Sequence, residues 1–135
     1  MFSDISKMEF VQTELKGAYM IKLDKLVDER GFFTRAWDIN EFKKLGLKNN
    51  IVHCNISFSK IKGTIRGMHY QIPPYSESKL IRCTKGEIFD VIIDLRENSN
   101  TRYKWISTKL DSYQHNMLYV PEGFGHGFQT LEDNT

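Results

Sequence analysis

Short stretches rich in β-branched and aromatic residues, separated by turn residues, run through almost the whole of this 135-residue sequence. Such stretches are typical of β-strands. One short helix is indicated from Asn40 to Leu45, with Asn40 as its N-terminal cap and Gly46 at its end. Many short strands and little helix predict an all-β barrel or jelly roll, and a β-sandwich without a pocket is the alternative that strand spacing leaves open.

Turn signals separate the predicted strands. The residues from Asp28 to Gly31 predict a turn, and Gly67 interrupts one strand. The pair Lys85-Gly86 is a hairpin signal, which predicts that the strands on either side of it pair with each other. The predicted strands are Tyr19 to Leu26, Ile51 to Phe58, Gly63 to Gln71, Lys79 to Thr84, Glu87 to Leu95, Tyr103 to Leu110, Met117 to Val120 and His126 to Leu131.

The size and composition of the chain fit a single domain, residues 1–135, with an ordinary hydrophobic core. Cys54 and Cys83 belong to no Cys-x-x-Cys pair, which favours two free thiols in a reducing compartment. No apolar run is long enough to span a membrane, and the N-terminus lacks the apolar stretch of a signal peptide. We therefore expect a cytoplasmic protein with no membrane partner, and the net charge of +2 gives no indication of nucleic-acid binding.

Two segments, residues 63–71 and 121–126, carry histidines at regular distances from glycines. Five residues separate Gly63 from His69, six separate Lys79 from the next glycine, and the second segment reads Pro-Glu-Gly-Phe-Gly-His. These spacings resemble the two sequence motifs of the cupin superfamily. The resemblance implies a cupin-type double-stranded β-helix, that is, a jelly-roll barrel with one short helix added.

The metal ligands of cupins are altered in this sequence. In metal-binding cupins, two histidines and a glutamate of the first motif act with a histidine of the second. Here Gln71 stands at the place of the second histidine and Lys79 at the place of the glutamate. A cationic lysine repels the ion that a carboxylate would hold, so we expect no metal at this site. His69, Lys79 and His126 are then available for proton chemistry.

These side chains suit proton abstraction next to a ketone. Histidine titrates near neutral pH and can accept a proton from carbon, provided that the resulting negative charge is stabilised. The ammonium group of Lys79 can stabilise an enolate oxygen, and the guanidinium of Arg66 can hold phosphate oxygens. This combination predicts an enzyme that removes a proton next to a ketone in a substrate carrying a diphosphate.

Several strings are similar to those of the dTDP-4-dehydrorhamnose 3,5-epimerase family. They are residues 28–33, 63–71, 79–82, 86–91, 94–96 and 121–128, so the similarity runs from about Tyr19 to the end of the chain. It implies a homodimer in which the partner chain completes each pocket, and no cofactor. The substrate implied is a nucleoside-diphosphate 4-keto-6-deoxy sugar, epimerised at C3, C5 or both.

The resemblance also implies roles for individual residues. His69 would be the base that removes the protons, and Lys79 would stabilise the enolate at the C4 oxygen. Substrate contacts would come from Arg30, Arg35, His53, Asn55, Arg66, Gln71 and His126.

Three departures from the family pattern bear on specificity and activity. Arg35 replaces a glutamate and His53 replaces a glutamine near the nucleotide, which leaves the base open between thymine and another base, such as guanine. The family's general-acid tyrosine and the aspartate that pairs with its base histidine would lie beyond Thr135, so we expect the C-terminal part of the family fold to be absent. Asp90 or Asp94 could replace that aspartate if its side chain points inward.

Two other functions remain open. A nucleotide-sugar 3,4-ketoisomerase would use the same base but would move the carbonyl and remove a single proton. A truncated cupin could also bind a nucleotide sugar without turning it over.

Overall fold

The computed structural model of the chain describes residues 7–135. Residues 1–6, on which the expectation of no signal peptide partly rests, lie outside the described range. The elements in order are β1 (Met8–Gln12), β2 (Tyr19–Leu23), β3 (Leu26–Asp28), β4 (Gly31–Phe33), α1 (Ile39–Lys44), β5 (Ile65–His69), β6 (Lys79–Arg82), β7 (Glu87–Asp94), β8 (Trp105–Asp111), β9 (Met117–Val120) and β10 (Phe124–Thr130).

Two four-stranded antiparallel sheets make up most of the structure. One has the order β1-β2-β9-β6 and the other β5-β10-β7-β8, while β3 and β4 form a separate hairpin. Buried side chains from both sheets meet in one core, which includes Ile92 of β7, Leu110 of β8 and Leu118 of β9. The predicted all-β class with one short helix is therefore confirmed, and the arrangement is that of a jelly roll.

The single helix closes a second, smaller core. Phe42 of α1 is fully buried and packs with Ile21, Met117 and Tyr119 of the first sheet. The predicted helix is confirmed, but Asn40 is not its cap. The carboxylate of Asp38 accepts hydrogen bonds from the first-turn backbone N–H groups, because its extended backbone leaves the side chain beside them. Within residues 7–135 no helix is long and apolar enough to cross a membrane.

The predicted hairpin at Lys85-Gly86 is wrong. β6 pairs with β9 in one sheet, whereas β7 pairs with β10 and β8 in the other. The turn thus carries the chain from one sheet to the other, as jelly-roll connections do. Hairpin turns and turns between sheets use the same residue types, so the sequence does not distinguish them. The turn predicted between Asp28 and Gly31 does close a hairpin, that of β3 and β4.

The predicted strand from Ile51 to Phe58 is also wrong, since residues 51–59 adopt no regular structure. Their β-branched side chains are strongly exposed: Val52 is 74% exposed and Ile56 98%. β-branched residues favour strands because their side chains pack well on a half-buried sheet. Within the described chain, residues 51–59 have no neighbouring strand to provide such a sheet.

Candidate functional site

The register of β5 and β10 brings the two motif histidines together. His69, the last residue of β5, lies directly opposite His126 of β10. Side chains of residues that pair in this way project from the same face of a sheet, with their Cβ atoms about 5 Å apart. Two residues that are 57 positions apart in sequence thus become neighbours.

A bulge at Gly67 sets this register. Between the His126–His69 pair and the Phe128–Arg66 pair, β5 contains one residue more than β10. Gly67 has a φ of +100°, and a Cβ atom there would lie 2.6 Å from the carbonyl oxygen of His126. Glycine is therefore required at the point where the two strands approach most closely.

His126 is buried and anchored by a carboxylate. Its Nε2 atom lies 2.7 Å from Oδ1 of Asp90, which comes from the adjacent strand β7 and is fully buried. The second carboxylate oxygen, Oδ2, is buried without a hydrogen-bond partner among the described residues. Burial raises the pKa of Asp90 above its ordinary value of 3.8, while the hydrogen bond to His126 and the positive charge of Lys79 oppose that rise.

Lys79 faces this pair from the other sheet. It is the first residue of β6, and its positive charge acts to lower the pKa of Asp90. Its side chain is 25% exposed, and Nζ lies 3.5 Å from a carboxylate oxygen of Glu77. The positive charge of Lys79 thus acts on the buried Asp90–His126 pair, and His69 lies opposite His126 on the neighbouring strand.

Arg66 lies on β5, opposite Phe128 of β10 and hence on the same face as the histidine pair. Its guanidinium is held by the irregular segment: Nε donates to Oγ of Ser59 at 3.2 Å, and Nη2 donates to the carbonyl oxygen of Phe58 at 2.9 Å. Residues 51–59 therefore help to position the predicted phosphate-binding arginine.

Other predicted substrate contacts lie on separate parts of the structure. Arg30 is at the tip of the β3–β4 hairpin, where its Nη2 atom lies 2.6 Å from Asp28. Arg35 bonds to Asp38, the helix cap, at 3.1 Å. His53 and Asn55 are exposed in the irregular segment, and Gln71 is exposed just after β5. The described contacts do not join these five residues to the histidine pair.

Of the two aspartates considered as carboxylate partners, Asp90 meets a histidine, but that histidine is His126 and not His69. Asp94 points inward as well, yet it serves a loop: its carboxylate bonds to Arg96, Ser99 and Thr101. Every second residue of β7 is buried, and Asp90 and Asp94 both fall on this buried face. The alternation in the sequence could therefore have indicated that both carboxylates point inward. No sequence pattern revealed which strand would lie beside Asp90.

The arrangement can perform acid–base chemistry. His69 is exposed and can receive a substrate proton, while His126 is oriented by Asp90. The positive charge of Lys79 acts on Asp90, and an ammonium group is of the kind that can stabilise an oxyanion. Among residues 7–135, no three His, Cys, Asp or Glu side chains are grouped so that they could hold a metal ion.

Comparison with known proteins identifies the family. The family model for dTDP-4-dehydrorhamnose 3,5-epimerase matches residues 12–135. The enzyme of that name from Shigella flexneri is 40% identical over 127 residues, which cover 93% of this chain and 70% of the relative.

Solved structures agree with this assignment. The Bacillus anthracis dTDP-4-dehydrorhamnose 3,5-epimerase, solved with TDP and PPi bound, superposes with a TM-score of 0.91 at 38% identity, over 95% of this chain and 73% of that one. A Legionella pneumophila dTDP-6-deoxy-D-glucose-3,5-epimerase in complex with dTDP-4-keto-L-rhamnose has a TM-score of 0.86 at 32% identity, over 95% of this chain and 68% of that one. The predicted cupin-type jelly roll is confirmed, and the chain belongs to the dTDP-4-dehydrorhamnose 3,5-epimerase family.

Proposed function

We propose that this protein epimerises a nucleoside-diphosphate 4-keto-6-deoxy sugar at C3, C5 or both, by removing a proton next to the ketone. The observation that carries the proposal is the register of β5 and β10, which places His69 opposite His126 on a face that Lys79 approaches. Family membership supports the same reaction, since the relatives are named as epimerases of such sugars.

His69 acts as the base. It takes the proton from the carbon next to the ketone, and the electron pair of that C–H bond moves towards the C4 oxygen. The enolate formed there is stabilised by the ammonium of Lys79. A proton delivered from solvent to the opposite face of the carbon inverts its configuration and restores the ketone, and His69 releases to solvent the proton that it took. No electrons are gained or lost overall, so the reaction needs no redox cofactor.

His126 and Arg66 bind the substrate. The Nε2 atom of His126 is engaged by Asp90, so Nδ1 is the ring nitrogen that can meet a sugar oxygen. Arg66 is held by two hydrogen bonds and presents the rest of its guanidinium to phosphate oxygens. The relative solved with TDP and PPi supports a diphosphate site in this fold.

The remaining substrate contacts belong to the nucleotide. We assign this role to Arg30, Arg35, His53, Asn55 and Gln71. Arg35 and His53 place positive or neutral groups where the family has glutamate and glutamine, which favours a base other than thymine.

A homodimer accounts for the position of Arg30. The β3–β4 hairpin forms its own small sheet, and its apolar side chains face outward: Val27 is 74% exposed and Phe33 57%. If a second chain covers these side chains, Arg30 of the first chain enters the substrate pocket of the second.

The decisive experiment is proton exchange in D₂O. The folded protein is incubated with dTDP- and GDP-linked 4-keto-6-deoxy sugars, and deuterium at C3 and C5 is followed by NMR. His69→Ala should reduce exchange by about 10³-fold, whereas Lys43→Ala, on the exposed side of α1, should leave it unchanged. Saturable binding without exchange for every such sugar would contradict the proposal and favour a non-catalytic cupin. A 3-keto product would instead identify a ketoisomerase.

A further inference from the structure

A second concave region lies away from the histidine pair. Two adjoining depressions of about 400 and 500 Å³ occur between the loop that follows β1 and the start of β8. Both are lined by Glu14 and Trp105, and neither is lined by His69, Lys79 or His126. Their volumes fall in the range of small-ligand clefts.

One wall of this cleft is aromatic and rigidly held. Trp105 is 61% exposed and Tyr103 is 62% exposed, although large aromatic side chains are usually covered. Tyr103 adopts a φ of +67°, and its backbone N–H donates to the carbonyl oxygen of Asp94 at 2.7 Å. The carboxylate of Asp94 also accepts from Thr101 at 2.6 Å. Buried Asp94 thus fixes the loop that displays both rings.

The facing wall is fixed by Gln12. Its Nε2 atom donates to the carbonyl oxygens of Leu15 at 3.1 Å and Ala18 at 3.0 Å, while Oε1 accepts from the N–H of Gly17. These bonds hold the loop that carries Glu14. A ligand would therefore meet two preformed walls and would lose little free energy in ordering them.

Three polar groups in the cleft are left for a ligand. Within residues 7–135, the carboxylate of Glu14, the ammonium of Lys104 and the indole N–H of Trp105 have no hydrogen-bond or ion-pair partner. Together they supply one acceptor group and two donor groups beside an aromatic surface.

We propose that this cleft binds a neutral saccharide, with one pyranose ring stacked on Trp105. A pyranose has a face of C–H groups, which an indole ring can cover, and a rim of hydroxyls, which both donate and accept hydrogen bonds. Glu14 accepts from these hydroxyls, and Lys104 donates to them. The charges of Glu14 and Lys104 cancel, so the cleft has no net charge that would favour a phosphate-bearing ligand over a neutral one. The inference does not depend on the epimerase proposal, because it uses none of that site's residues.

The test uses the two tryptophans of the chain, which give two indole N–H signals in ¹H–¹⁵N spectra. The Trp105→Phe variant identifies the signal of Trp105. Maltotriose, cellotriose and methyl α-L-rhamnopyranoside are then titrated, with inorganic diphosphate as a charged comparison. At least one saccharide should shift the Trp105 signal saturably at millimolar concentration and leave the Trp37 signal in place.

Matched variants make the test specific. Glu14→Ala should weaken saccharide binding at least tenfold, whereas Tyr113→Ala, an exposed tyrosine of another turn, should not change it. His69→Ala should also bind saccharide normally. No saturable shift up to roughly 50 mM of any of the three saccharides, tighter binding of diphosphate than of saccharide, or full binding by a folded Glu14→Ala protein would each overturn the proposal.

Discussion

His126 and Asp90 are joined diagonally across two central strands. His126 of β10 pairs with Ile92 of β7, while Asp90 pairs with Phe128, so the two side chains lie two residues apart on one face. Their contact, 2.7 Å from Nε2 to Oδ1, is buried between the sheets. Because both strands are hydrogen-bonded along their length, the orientation of the imidazole is fixed before a substrate arrives.

Asp90→Asn should reduce deuterium exchange by about 10- to 100-fold, the usual effect of removing a carboxylate that orients a functional histidine. The same assay as for His69→Ala measures it. Asp111→Asn, on edge strand β8, is the matched control and should exchange at the normal rate. Normal exchange by a folded Asp90→Asn protein would show that the Asp90 contact has no part in the reaction.

Asp90 should also leave a signature in the dependence of stability on pH. Its pKa is raised by burial, so the folded chain keeps this proton at pH values where the unfolded chain has released it. The contribution of Asp90 to the free energy of unfolding is therefore present below pH 3.8 and declines as pH rises through the raised pKa. Urea unfolding from pH 4 upward should show this decline in the unsubstituted protein and a smaller one in Asp90→Asn.

Asp94 should have the opposite effect. Burial alone would raise its pKa, but hydrogen bonds from Arg96, Ser99 and Thr101 outweigh burial and hold the pKa well below 3.8. Its stabilising contribution is thus complete above that value and is lost as pH falls below it. Asp94→Asn should lower the free energy of unfolding at neutral pH by about 2–3 kcal/mol.

Thermal unfolding between pH 3 and 7 measures the effect of Asp94. The difference between the unsubstituted protein and Asp94→Asn should shrink towards acid pH. Asp28→Asn removes another carboxylate that bonds to an arginine, but on the exposed hairpin, and should hardly change the melting temperature. Equal effects of the two substitutions would contradict the proposed role of the Asp94 network.

Gly67→Ala should destabilise the fold by about 3 kcal/mol or more, since the added methyl would meet the His126 carbonyl oxygen at 2.6 Å and the φ of +100° is unfavourable for alanine. Gly46→Ala is the control: its φ is +67°, but nothing lies within 4 Å of the added Cβ. It should cost only about 1 kcal/mol. Chemical denaturation compares the two, and equal losses would mean that the close approach of β5 and β10 is unimportant.

The helix cap provides a local test. Asp38→Ala removes the carboxylate that accepts from the N–H groups of Asn40 and Glu41, and it should lower the free energy of unfolding by about 1 kcal/mol. Asn40→Ala, the position that the sequence suggested as the cap, should change it much less. A larger loss in Asn40→Ala, measured by urea unfolding, would reverse the assignment.

Much of the local structure was readable from the residues. Most strand positions followed from β-branched and aromatic stretches, although β1 was not predicted and the strand predicted from Ile51 to Phe58 does not form. Gly46 correctly marked the end of the helix. The string from Gly63 to Gln71 was sufficient to indicate the family. The choice of Asp38 over Asn40 as cap was not readable, because two cap-forming residues two positions apart differ only in the backbone angles that the fold imposes.

By itself the sequence determined the all-β class, most of the strand positions and the family of the chain, because residue type and spacing act locally. Tertiary structure alone decided that β6 and β7 belong to different sheets, that residues 51–59 form no strand, and that Asp90 meets His126. Strand pairing depends on neighbours distant in the chain, and alternation shows which residues share a face but not which strand lies beside them. The Asp90–His126 contact, between residues 36 positions apart, is such a case.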